Sequence, residues 1–182
     1  MTKIFDKENF DLNFLKENSV FIYPTDTIYG IGCDATNEEA VKRIRDIKNR
    51  DKNPFSVIAP SKEWILKNCV VDEKWLNKLP GPYTLILKLK NKNCVAFNVS
   101  FSNTLGVRIP DHWFNEVVKK INKPIITTSV NKSGEKFMSS IESLDESIKG
   151  KIDFIIYEGE KISKPSTLID LSKDKIEIKK RD

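Results

Sequence analysis

Proline and glycine cut the main apolar runs of this chain to strand length, and that punctuation constrains the fold more than any other feature. Ser19–Tyr23 stops at Pro24, which has no N–H to give to a sheet ladder. Pro80-Gly81-Pro82 breaks the chain before Thr84–Leu89, Pro110 stops Thr104–Ile109, and Pro124 opens a run to Thr128. Phe55–Ala59, Ile152–Tyr157, Thr167–Leu171 and Lys175–Lys179 complete the expected strands; the last alternates Ile176 and Ile178 with charged residues, which predicts one wet face. Helical patterns lie between them. Residues 6–18 space Phe10, Phe14 and Leu15 along one face. Thr36-x-x-Glu39 reads as a capping box opening a helix over 37–48, with Ala40, Val41, Ile44 and Ile47 as its buried stripe and Lys42, Arg43, Arg45 and Lys48 on the rest. Ser61 starts a short helix, residues 72–79 and 141–149 make two more, and Asp111 caps one that runs to about Lys120. Interleaved strands and helices, short connections and no internal repeat predict an α/β (α+β) fold on a sheet of mixed strand directions.

The 182 residues suggest one domain, 1–182, and 39% hydrophobic with 31% charged residues describes a soluble globular chain. No apolar run approaches the ~18 residues of a membrane span. The charged, amphipathic N-terminal stretch does not read as a secretory signal, so the expected compartment is cytoplasmic. Cys33, Cys69 and Cys94 are odd in number and form no Cys-x-x-Cys pair, which disfavours a disulfide framework or zinc site and leaves them as small buried hydrophobes. His112 is the only histidine, so a His-rich metal site is excluded. A net charge of +5 favours anionic partners such as nucleotides or RNA, although a solvated lysine-rich surface gives the same count.

Two distant segments suggest chemistry. Lys48-Asn49-Arg50 ends the second helix, and Arg50, two residues past Lys48, falls in the following loop. There its planar fork could grip a phosphate or carboxylate, with Lys48 as a point charge; the alternative is a cationic helix end that favours the helix dipole. Thr127-Thr128-Ser129-Val130-Asn131 leaves a strand as a run of hydroxyls ending in an amide. A nucleophilic Ser129 would need a base, and only His112 is on offer, so binding is the preferred role. Tyr23–Gly32 follows a buried strand with two threonines, an aspartate and two glycines, and is either a ligand loop or a structural turn. Arg108, inside an apolar strand, must snorkel, pair with a carboxylate or face a ligand. His112 is a partner of Asp111 or a helix-start residue. No P-loop or G-x-G-x-x-G pattern occurs.

In order, YPTDTIYGIG, KNR, PGPYT, GVRIPDH and TTSVN resemble the YrdC-like family, whose best-known members are threonylcarbamoyl-AMP synthases of tRNA modification. The resemblance covers residues 15–181 and is of the short, single-domain type. It implies a twisted, largely parallel and mixed sheet with a concave basic cavity. It also implies the joining of L-threonine, bicarbonate (or carbon dioxide) and ATP to give threonylcarbamoyl-AMP and pyrophosphate, with Mg2+ on the phosphates. A separate complex would then carry the group to tRNA. By motif, Lys48, Arg50, Thr84, Ser129, Asn131, Ser139 and Arg181 would bind ATP, with Lys48 and Arg50 as electrostatic stabilisers, and Thr25, Arg108 and Ser166 would hold L-threonine. The chain departs from the pattern in three places. Asp51 stands where the family usually has proline, putting an extra anion beside Arg50. Val130 replaces a common alanine, which predicts a narrower pocket. Ala59 stands where many members have histidine. The rival readings are a YciO-like relative of other activity and a non-catalytic RNA-binding protein. The Lys-x-Arg pair, Pro82 and Asn131 favour the synthase side, and the chain lacks the interleaved aromatic and basic residues of RNA binders.

Overall fold

A computed structural model describes residues 2–181. Its elements in chain order are β1 (Lys3–Phe5), β2 (Phe21–Tyr23), β3 (Gly30–Gly32), α1 (Glu38–Lys48), β4 (Ser56–Ile58), α2 (Lys62–Asn68), β5 (Cys69–Val70), α3 (Glu73–Leu76), β6 (Tyr83–Leu89), β7 (Thr104–Arg108), α4 (Phe114–Ile121), β8 (Ile125–Ser129), α5 (Glu146–Lys149), β9 (Phe154–Ile156), β10 (Thr167–Asp170) and β11 (Glu177–Lys179). The strands form one mixed sheet in the order β1-β9-β2-β3-β8-β4-β7-β6-β10-β11, with β5 beside β6. Its pairings are more often antiparallel than parallel, which corrects the expectation of a largely parallel sheet.

Both faces of the sheet are covered, and the strand period of two distributes residues between them. Ile22, Val57, Ile126 and Ile155 point into the larger core with the α1 stripe. Their neighbours Phe21, Tyr23, Ile58, Ile125, Phe154 and Ile156 point into a second core with Phe114, Val117 and Val118 of α4. Burial on both faces is why these strands read as continuous apolar runs.

Several local expectations are corrected. The helix over 6–18 does not form; Leu12–Phe14 makes one 3-10 turn. Asp6 accepts from the backbone N–H of Glu8 and Asn9, and Asp11 accepts from that of Asn13, so side chains take the donors a helix would need. Phe10, Phe14 and Leu15 still pack on the second core. The cap of α1 is Asn37, whose side chain accepts from the Ala40 N–H, while the Thr36 hydroxyl is bonded to Asp34. Helix α4 starts at Phe114 rather than after Asp111, and the helix expected over 141–149 is only α5. Every residue of β11 is exposed, so neither of its faces is dry. Strand β3 lies in the segment read as a loop.

Candidate active site

One end of the sheet opens into a cavity of about 300 Å³. Strand ends and their following loops supply its wall: Thr25 after β2, Gly30 of β3, Arg50 after α1, Thr84 of β6, Arg108 of β7, Ser129 and Asn131 at the end of β8, and Ser166 before β10. Arg181 closes it from the C-terminal side. Of the ten residues expected at a site, these eight line it, Gly30 apart, and Lys48 and Ser139 do not. Ser139 is tied instead to Ser143 through its backbone N–H and to Lys161 through its carbonyl.

Lys48 is 2% exposed and lies behind the wall. Its ammonium donates to the Ser129 carbonyl at 2.5 Å, the Asn131 carbonyl at 2.8 Å and Asn131 Oδ1 at 2.8 Å. All three donors of the group are thus directed at the β8 loop. The Ser129 hydroxyl donates to the same Asn131 Oδ1 at 2.7 Å, and Asn131 Nδ2 donates to the Glu135 carbonyl at 2.6 Å. Burial, with the Arg50 charge nearby, pushes the Lys48 pKa down to about 7. Val130 is turned into the core and does not narrow the cavity.

Arg50 follows Asn49, which ends α1 in the left-handed conformation suited to asparagine. Its guanidinium sits over the Phe55 ring at 4.9 Å and donates to the Pro54 carbonyl at 2.6 Å. Asp51 makes no ion pair with it among the described residues. Arg108, 5% exposed, does pair with a carboxylate: Nη2 donates to Asp26 Oδ1 at 2.5 Å, and Nη1 reaches Thr27 Oγ1 at 3.3 Å. Its Nε is buried and has no hydrogen-bond partner among the described residues. The second Asp26 oxygen accepts from the Asp111 N–H at 3.1 Å. Thr25 is held by its own loop, its hydroxyl donating to the Ile28 carbonyl at 2.7 Å. Thr84 and Ser166 share a hydrogen bond of 2.7 Å, and Arg181 donates to both the hydroxyl and the carbonyl of Ser166.

Three guanidiniums, those of Arg50, Arg108 and Arg181, therefore line one space; among the described residues Arg108 is paired with Asp26, and Glu135 is the carboxylate residue of the wall. Burial lowers the pKa of Arg181, and the charges of Arg108 and Arg50 add to that. Such mutual repulsion is relieved by an anion placed among them. His112 takes no part: its Nε2 meets Glu158 Oε1 at 2.9 Å and its Nδ1 accepts from the Phe114 N–H, so it is a helix-start residue and not a partner of Asp111. It does not line the cavity, so the base that the sequence offered Ser129 is not there, and the Ser129 hydroxyl is bonded instead to Asn131 Oδ1. Sequence reasoning missed Asp26 as the partner of Arg108 and Arg45 as a buried residue. The signal for the second existed, since residues 41, 45 and 48 continue the helical spacing of the buried stripe.

Residues 13–181 match the model of the Sua5, YciO and YrdC family, described as telomere recombination. The chain belongs to that family. It is 36% identical over 176 residues to a Methanocaldococcus jannaschii protein provisionally named threonylcarbamoyl-AMP synthase, covering 91% of this chain and 82% of that one. It is 30% identical over 183 residues to the threonylcarbamoyl-AMP synthase of Vibrio parahaemolyticus, covering 93% and 97%. The fold superposes with a TM-score of 0.84 on the crystal structure of Pyrococcus abyssi Sua5 complexed with L-threonine, at 28% identity; the match spans 98% of this chain but 56% of that longer one. No helix among the described residues is long and apolar enough to cross a membrane.

Proposed function

We propose that the chain is an L-threonylcarbamoyladenylate synthase, a nucleotidyltransferase that converts L-threonine, bicarbonate and ATP into threonylcarbamoyl-AMP and pyrophosphate. The observation that carries this reading is the convergence of Arg50, Arg108 and Arg181 on one cavity lined with small hydroxyls, in a chain related to proteins of that name. Arg50 and Arg181 take the triphosphate, with Thr84, Ser129 and Asn131 as neutral donors and acceptors beside it. Arg108, which lines the cavity, takes the carboxylate of threonine, and Thr25 and Ser166 complete that pocket. Lys48 serves the nucleotide by holding the loop that bears Ser129 and Asn131. Threonine, once carboxylated at its amine, attacks the α-phosphorus and displaces pyrophosphate. No side chain becomes covalently attached, and positioning supplies up to roughly 7–11 kcal/mol of the barrier. The fixed arginines meet charge that develops on the phosphates.

No group of three or more His, Cys, Asp or Glu among the described residues could hold a metal ion. Mg2+ would then arrive on ATP, held mainly by substrate phosphates, with Glu135 the carboxylate residue among those that line the wall. The ion would neutralise phosphate charge. Transfer of the product to adenosine in tRNA by a separate complex is proposed from the family resemblance.

The test is pyrophosphate release by the purified protein with ATP and Mg2+, omitting threonine and bicarbonate singly. Release only when both are present supports the synthase. Release without them, or none with ATP bound, moves the assignment to a YciO-like activity or to a non-catalytic RNA binder.

A further inference from the structure

Helix α1 ends with two buried cations one turn apart, and the proposed chemistry uses only Lys48. Arg45 is 8% exposed, and no carboxylate pairs with it among the described residues. Its guanidinium is instead filled by backbone carbonyls. Nε donates to Asn98 at 2.8 Å, Nη1 to Arg50 at 2.9 Å, Asp51 at 3.0 Å and Asn53 at 3.3 Å, and Nη2 to Val99 at 3.4 Å. Two rings lie against it, Phe55 at 4.7 Å and Phe101 at 4.9 Å. Phe55 also carries the Arg50 guanidinium on its ring.

Three of those five carbonyls belong to the loop 50–53, which follows the left-handed cap at Asn49. Residues 51–53 are exposed and have no regular structure. Without an internal tie, such a segment would sample many conformations and carry Arg50 with them. A guanidinium is the one side chain whose fixed fork can gather several carbonyls in a plane; an ammonium in the same place cannot span them.

We propose that Arg45 is a positioning residue: its guanidinium fixes the 50–53 loop and so holds Arg50 over Phe55, aimed at the cavity, without touching the ligand itself. Its consequence for ATP rests on the synthase reading above; its action on the loop does not. The last turn of α1 then anchors both loops of the proposed phosphate-binding end, Arg45 holding 50–53 and Lys48 holding 129–131.

The experiment uses the full chain with Arg45→Lys, which keeps charge and length but loses the fork, and Arg45→Met as a second variant. Backbone order parameters from NMR relaxation should fall at residues 50–53 in Arg45→Lys and stay unchanged in the sheet. Calorimetric titration with MgATP should show about tenfold weaker binding, and titration with L-threonine no change. On an Arg50→Ala background, Arg45→Lys should weaken MgATP binding no further, because it acts through Arg50. An ordered 50–53 loop in both variants overturns the proposal. So does equal loss of threonine and MgATP binding, or the same MgATP loss with Arg50 already removed. If the unmodified protein binds no MgATP, the synthase reading fails, and the order parameters still decide the role of Arg45.

Discussion

Replacing Asp26 by Asn tests how the cavity tolerates its own charge. Asp26 and Arg108 have side chains only 10% and 6% exposed, so neither charge has much water to fall back on. Asn keeps the shape and one oxygen, and that oxygen can serve either the Arg108 Nη2 or the Asp111 N–H, but not both. At an effective dielectric of about 20, opposite charges ~4 Å apart attract by roughly 4 kcal/mol. Breaking a buried pair from one side costs about 3–5 kcal/mol, because the surviving ion stays desolvated. We expect Asp26→Asn to lower stability by about 3 kcal/mol, which at a slope of ~2 kcal/mol per molar urea moves the midpoint down by about 1.5 M. The three tryptophans provide the fluorescence signal. The double variant Asp26→Asn/Arg108→Gln removes the stranded cation, and it should be more stable than Asp26→Asn alone. A loss below about 1 kcal/mol for the single variant, or a double variant that merely sums the two losses, would refute the reasoning.

Three more outcomes are expected. With its folded pKa at about 7 against an unfolded 10.5, Lys48 is protonated in the unfolded chain but not in the folded one between those values. Its contribution to stability therefore rises with pH across about 7 to 10.5, by up to ~1.4 kcal/mol per pH unit. Denaturant curves of the natural chain and of Lys48→Met should diverge in that sense, and parallel pH profiles would show that the three acceptors keep the ammonium charged. Gly32→Ala would drive its Cβ into the Ile126 carbonyl and to 2.7 Å from the Tyr23 ring, between paired backbone and a buried side chain that have nowhere to go. A loss of about 3 kcal/mol in thermal or urea unfolding is expected, and a native midpoint would contradict the packing of β3. Burial pushes the Cys94 thiol up to about 11 and the Cys69 thiol up to about 12, so neither should react with iodoacetamide at pH 8 until the chain is unfolded. Fast labelling of the native protein would show those sites to be open.

The strands were legible wherever a local rule was strong. Proline ended β2 and β7 close to where the sequence placed their ends, because a missing N–H stops a ladder whatever surrounds it. The stripe of Ala40, Val41, Ile44 and Ile47 gave α1 and its buried face. Eight of the ten site residues implied by the family resemblance line one cavity; Thr25, Arg50, Arg108, Ser129 and Asn131 also carried local marks at strand ends and turns, while Thr84, Ser166 and Arg181 came from the resemblance alone. The first helix was misread because Asp6 and Asp11 compete for the backbone donors that a helix would need, which the apolar spacing does not reveal. Strand β3 was missed because two of its three residues are glycine and show no alternation; it exists through pairing with β2 and with the distant β8.

The sequence by itself determined the alternation of strands and helices, the chemistry available and the places where the chain must turn. Tertiary structure decided which cations face a ligand and which face the protein. Arg45, Lys48 and Arg50 lie within six residues, and nothing local separates them. Arg45 is spent on carbonyls of 50–53 and 98–99, and Lys48 on a loop some eighty residues away, which leaves Arg50 to line the cavity. A buried charge takes its role from the acceptors that surround it, and those arrive only when distant segments fold together.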